Sequence, residues 1–113
     1  MKYMLLIHGN AETDRAIENE AREDFVAGHS WAQEELRASG ELLDSNELSP
    51  EEAKIVRTTA QGLSVTDGAF TEGRETNAGY YIVDCADMDR AVEIAGRFAE
   101  ARYTPIEVRR LVH

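Results

Sequence analysis

Apolar and polar positions change their period several times along this chain, and each change marks an element. Tyr3 to His8 is a short apolar run bounded by Gly9-Asn10, the pattern of a buried strand. From about Asp14 to Ser39 the period becomes helical. Ile17, Ala21, Phe25, Gly28, Ala32 and Leu36 recur at three or four residues with charges between them. Gly40 follows as a C-terminal cap, and Gly28 inside the stretch predicts a division into two helical pieces. A second strand is expected from about Leu42 to Leu48, closed by Ser49-Pro50. Lys54 to Thr58 and Leu63 to Thr66 then form a hairpin about a turn at Ala60-Gln61-Gly62. Asp67-Gly68 opens a polar loop through about Asn77. Tyr80 to Cys85 is strongly strand-like, and Ala86-Asp87 caps a helix from about Met88 to Glu100 with Ala91, Ile94, Ala95 and Phe98 as its apolar stripe. A last strand runs from Ile106 to Val112.

The order is strand, helix, strand, hairpin, strand, helix, strand. Two βαβ units in tandem predict an α+β, ferredoxin-like fold: an antiparallel sheet with two helices on one face, forming one domain over residues 1–113. Neither Lys2-Tyr3-Met4-Leu5-Leu6-Ile7 nor Gly79-Tyr80-Tyr81-Ile82-Val83-Asp84 alternates apolar with polar, so both faces of these strands are expected to be covered. The helices cover one. A second copy of the chain is the expected cover for the other, which predicts a homodimer.

Composition narrows the function classes. The 113 residues carry 12 Lys+Arg against 22 Asp+Glu, a net charge of −10, which argues against nucleic acid and anionic membrane surfaces as partners. Residues 10–52 hold thirteen of the acids and three arginines; the rest of the chain balances nine against nine. This places the acidity on the first helix and its flanks, as a solvated outer face. Cys85 is the only cysteine, so an internal disulfide or thiolate cluster is excluded, and with no basic neighbour it reads as a packing residue. The N-terminal apolar run is too short for a signal peptide or a membrane span, and a cytoplasmic protein is expected.

The loop Thr66-Asp67-Gly68-Ala69-Phe70 resembles the Asp-Gly-Pro-Phe signature of the YCII-related family, in its DGPF-domain branch, with Ala69 in place of the proline. The resemblance begins at Lys2 to Ile7 and continues through Glu35-Leu36, Gly40, Glu72, Glu75 and Gly79-Tyr80-Tyr81. It finishes at Ala101-Arg102-Tyr103 and Glu107-Val108-Arg109. It implies a dimeric α+β barrel of ferredoxin-like protomers. For activity it implies a His/Asp pair, as in related members, one of which removes chloride from a chlorinated hydroxyquinol; some DGPF proteins accompany transcription initiation factors. The family histidine lies eleven residues before the glycine that ends the first helix, and His29 and Gly40 match that spacing. For the aspartate, Asp44 is nearest by position.

Several residues can carry chemistry. His29, at the edge of the first helix's apolar stripe, suits a general base, with Asp67 or Glu72 to orient it or the substrate; a solvated helix-rim histidine is the plainer reading. His8 ends the first strand, where it lines a pocket or serves as a structural histidine. Asp67-Gly68 is turn chemistry first, but a loop with Asp67, Glu72, Arg74 and Glu75 about Phe70 also makes a pocket wall. Tyr80 and Tyr81 point to opposite faces of their strand, one toward the helices and one toward the dimer side or a cavity. Arg102 and Tyr103 offer a cation and a hydroxyl to an acidic ligand, as does Arg74, or else a charge effect at a helix end. No phosphate loop, metal-ligand spacing or nucleophile elbow is present, so neither metal nor cofactor is expected. The functions that fit are a cofactor-free acid/base enzyme (elimination, isomerisation or hydrolysis) on a small organic molecule, or a non-catalytic module that senses a ligand or binds a protein, for which the resemblance implies a link to transcription regulation.

Overall fold

A computed structural model describes residues 1–68 and 76–113; Glu72, Arg74 and Glu75 lie outside the described residues. The elements are β1 (Lys2–Gly9), α1 (Ala11–Glu20), α2 (Arg22–Trp31), a π-helical stretch Ala32–Leu36, a last helical turn α3 (Arg37–Ser39) and β2 (Leu42–Glu47). There follow β3 (Lys54–Thr59), β4 (Gly62–Asp67), β5 (Thr76–Asp84), α4 (Met88–Ala95), a 3₁₀ turn Ala99–Arg102 and β6 (Ile106–Arg110). The four-stranded sheet has the order β2-β5-β1-β6 with every neighbouring pair antiparallel, and β3 and β4 form a separate hairpin. This is the ferredoxin-like α+β fold, with the hairpin inserted between its second and third sheet strands.

One face of β1 and β5, carrying Tyr3, Leu5, Ile7, Tyr81 and Val83, is buried against Ala32, Leu36, Ala91, Ile94 and Phe98 from the helical layer. The first helical region is divided, but at Ala21 rather than Gly28. Asn10 caps α1 with a capping box through Thr13, and Ala21 then leaves helical geometry at φ −140°. Gly28 has a different task. A Cβ at this position would lie 2.7 Å from the Arg97 carbonyl oxygen, so the absence of a side chain lets α2 pack directly on the backbone of residues 97–98. Arg97 also stacks its guanidinium 4.1 Å from the centre of the Trp31 ring, closing the same contact from outside. Gly40 does cap the region in the left-handed conformation, at φ +82°.

The second helical region is shorter than its apolar stripe predicts. Asp87 caps it through the Arg90 N–H, but α4 ends at Ala95, and Phe98 is extended at φ −87°, ψ 130°. Ala91, Ile94, Ala95 and Phe98 are all buried as the stripe requires, yet Phe98 gets there from outside the helix. Gly96, a poor helix former, allows the early stop, and the packing of α2 on residues 97–98 takes the chain away from the helix axis. β5 also starts earlier than expected, at Thr76, because Thr76 and Asn77 pair with Gly9 and His8 beyond a bulge at Ala78 of β5.

The other sheet face is half covered. Met4 pairs with Ile82 and Leu6 with Tyr80, and all four remain partly exposed. On the hairpin, Val56 stands opposite Val65 and Leu63 opposite Thr58, so Val56, Leu63 and Val65 share one face; they are 60%, 70% and 54% exposed. No helix among the described residues is long and apolar enough to cross a membrane.

The Gly28 contact is testable. Gly28→Ala gains helix propensity of roughly 1 kcal/mol but inserts a methyl against backbone that cannot rotate aside, and overpacking of this kind costs about 1–3 kcal/mol. We expect net destabilisation in urea unfolding, with a lower midpoint; an unchanged or raised midpoint would show that the approach of α2 is not close.

Candidate active site

The helix-side face of the sheet opens at one end into a cleft of about 600 Å³ between β1, β2 and β5 and the helical layer. His29, on α2, sits at its inner wall. The ring is stacked on Phe98, with centroids 4.8 Å apart, and flanked by Phe25 at 4.7 Å, so its plane is fixed from both sides. Its two nitrogens are both engaged. Nδ1 lies 2.6 Å from the Tyr81 hydroxyl and Nε2 lies 2.7 Å from Glu100 Oε2. A carboxylate only accepts hydrogen bonds. With Glu100 ionised, Nε2 therefore carries the proton, and Nδ1 accepts from the Tyr81 O–H. A directed chain of donors results: Tyr81 to His29 to Glu100.

Each member arrives on a different element. Period-2 alternation along β5 turns Tyr81 toward the helices, while Tyr80 faces the other side and donates to Asp44 Oδ2 at 2.9 Å. The early end of α4 delivers Glu100 on the 3₁₀ turn, and the glycine beside His29 lets α2 approach that turn. Burial raises the Tyr81 hydroxyl above its ordinary pKa; the Gln33 side chain opposes this and the charge of Glu100 adds to it. Tyr81 consequently stays protonated through the neutral range.

Further along the wall are Asp14 from α1 and Glu47 from β2. Burial pushes the Asp14 carboxyl up from its ordinary value, and the charges of Glu47 and Glu100 push it further. Glu100 Oε1 and Thr104 Oγ1, both bordering the cleft, are buried with no hydrogen-bond partner among the described residues. Gln33 donates to Ser45 Oγ at 2.9 Å and ties α2's continuation to β2 beside the opening.

The residues singled out in the sequence fall in several places. His29, Tyr81 and His8 line the cleft, His8 where β1 passes the bulge in β5. Asp67 ends β4 opposite Lys54 in the hairpin and is not part of the cleft wall. Asp44 is engaged by Tyr80. Arg102 is ion-paired with Asp24 at 2.9 Å on the outer surface, and Tyr103 donates to Glu20. Cys85 is buried near the N-terminus, with its thiol pushed up by burial. Among the described residues no group of His, Cys, Asp and Glu has the arrangement of a metal site. Glu100, Asp14 and Thr104 were not legible as site residues. Glu100 reads as the last residue of a regular helix, and only Gly96 inside that helical pattern signals that the chain turns there.

The model of the YCII-related domain matches residues 1–113. An uncharacterized protein of Rhizobium meliloti (strain 1021) is 29% identical over 102 residues, which span 89% of this chain and 82% of that protein.

The raised Asp14 carboxyl has a stability consequence. Its folded pKa exceeds its unfolded one, so its stabilising contribution is full below its ordinary value of 3.8 and is lost as pH rises through the folded value. Asp14→Asn should therefore unfold at a temperature higher than the parent by a few degrees at pH 7. The gain should vanish below about pH 4, where both forms are neutral. A pH-independent difference in Tm would contradict the assignment.

Proposed function

The chain belongs to the YCII-related family, and from that premise we propose that it is a homodimeric acid/base enzyme, needing no cofactor, that moves a proton on a small organic molecule held in the cleft. The observation that carries this reading is the donor chain Tyr81–His29–Glu100 at the cleft wall. Both nitrogens of His29 are taken by protein groups, so the histidine acts through Tyr81 and does not meet substrate itself. A proton leaves the substrate for the Tyr81 oxygen as the Tyr81 proton passes to Nδ1. The imidazolium so formed is stabilised by the Glu100 carboxylate. Because the two transfers are coupled, neither a phenolate nor a doubly protonated phenol accumulates. The proton then returns to another atom of the substrate, an isomerisation, or leaves with a departing group, an elimination. Tyr81 is the catalytic residue; His29 and Glu100 are its proton store and positioning group.

A ligand-sensing module without turnover is the second reading, favoured by the exposed apolar face of the hairpin. It uses the same cleft but needs no proton transfer. The two separate by solvent-deuterium incorporation into a panel of small carbonyl and halogenated compounds, followed by NMR. The enzyme reading expects exchange that Tyr81→Phe lowers by about 10²–10⁴-fold, the usual worth of a positioned acid/base group. It also expects one Nε2–H tautomer at His29 in ¹⁵N spectra, lost in Glu100→Gln. Exchange unaffected by Tyr81→Phe, or an Nδ1–H tautomer in the parent, overturns it.

For the assembly, the half-covered face of Met4, Leu6, Tyr80 and Ile82 and the hairpin's Val56, Leu63 and Val65 support pairing with a second copy, which is the apolar cover these surfaces lack. Light scattering after size exclusion should give a dimer at micromolar concentration, and Leu6→Lys with Val65→Lys should give a folded monomer. A monomeric parent would refute this pairing.

A further inference from the structure

We propose that the cleft selects an organic cation, a small ammonium compound with an apolar or aromatic body, as its ligand; this rests on the reading of the cleft as the acid/base site and names its substrate class. Four carboxylates border it, on Asp14, Glu18, Glu47 and Glu100; Arg22 pairs with Glu18, which leaves three without a cation, and no lysine or arginine lines the cleft among the described residues. Arg102, one of the two cations that the sequence offered to an acidic ligand, is held by Asp24 outside; the other, Arg74, lies outside the described residues. The acids alone would be only a polar wall. What makes a binding site of them is that two acceptors are sequestered from water and unused. The Glu100 side chain is 9% exposed and Thr104 5%, yet Glu100 Oε1 and Thr104 Oγ1 have no partner. A buried polar atom without a hydrogen bond is costly, and a carboxylate oxygen can be satisfied only by a donor. An ammonium group supplies up to three N–H donors and a positive charge at that point.

The electrostatics agree. Asp14 is pushed toward its neutral form first by burial and then by the charges of Glu47 and Glu100; these like charges repel, and a bound cation relieves that repulsion. Around the same space stand the rings of Phe25 and Tyr81, which can carry an apolar body and offer π faces to a cation. The tyrosine of the donor chain is thus brought beside the carbon atoms next to a protonated amine. C–H bonds there are more acidic than in the neutral amine, a match between binding charge and proton transfer.

The test uses three probes of one shape and different charge: benzylamine, benzyl alcohol and benzoate at pH 7, titrated into the full chain while the backbone amide shifts of Glu100 and Thr104 are followed. Benzylamine should bind more tightly than benzyl alcohol by on the order of tenfold or more at low salt, with benzoate weakest. Asp14→Asn or Glu47→Gln should reduce that preference severalfold and leave benzyl alcohol unchanged. Tyr81→Phe should keep it, since recognition of the charge does not need the proton chain. Equal binding of the three, preference for benzoate, or no benzylamine binding at millimolar concentration overturns the proposal. Proton exchange abolished by Tyr81→Phe together with preference for benzoate would reject the ligand class alone. A benzylamine preference without exchange would reject only the enzyme reading.

Discussion

The contact between Gly28 and the backbone of residues 97–98 is the constraint on which the site depends. Two helical layers meet here with no side chain between them, and the approach fixes three things together. It seats His29 against Phe98, it keeps the second helical region from continuing past Ala95, and it brings the 3₁₀ turn with Glu100 under α2. A larger residue at position 28 would separate His29 from Glu100, and the chain of hydrogen bonds would lose its carboxylate end. The same geometry explains why a buried charged group is tolerated. Glu100 is one of only three buried polar or charged side chains described, and its Oε2 is taken by an imidazole whose other nitrogen is taken by a phenol. Burial strengthens each of these bonds relative to water, and makes the one unused oxygen conspicuous.

Much of the fold was legible because it follows from local rules. The short apolar runs of β1 and β5, the hairpin turn before Gly62, the capping residues Asn10 and Asp87 and the left-handed Gly40 each act through their own neighbours. What was not legible depends on tertiary contact. Gly28 looks like a helix breaker in a one-dimensional pattern, but the helix breaks at Ala21, and the glycine is where another segment of backbone comes near. The stripe Ala91, Ile94, Ala95, Phe98 has perfect helical spacing although its last member is extended. Burial alone was encoded there, and two backbone conformations satisfy it.

The site was half legible for the same reason. His29 stood out by type and by its spacing to Gly40, and Tyr81 by strand alternation. Their carboxylate partner lies seventy-one residues from His29 in the chain and is placed by the interruption after Ala95. Asp67, Glu72 and Asp44 were reasonable candidates on sequence grounds, being acids in or near the loops and strands that resemble a known signature. Of these, Asp44 is engaged by Tyr80 and Asp67 stands in the hairpin.

The charge balance takes on a more specific meaning in three dimensions. An excess of acids over residues 10–52 suggests a solvated outer face, and Glu20 and Asp24 do lie there, paired with Tyr103 and Arg102. But α1 begins at the cleft and β2 ends beside it, so Asp14, Glu18 and Glu47 turn part of that excess inward. Arg22 balances one of them, Glu18, while Arg90 is held by Glu41 and Glu93 and Arg102 by Asp24, away from the cleft. A net charge of −10 therefore acts at two ranges. At long range it draws cations toward the protein and turns anions away. At short range, where low dielectric magnifies each charge, the few acids at the cleft decide what stays. In the proposed reading, selection by charge and transfer of a proton share one carboxylate, Glu100: one oxygen holds the imidazole, and the other is buried without a partner.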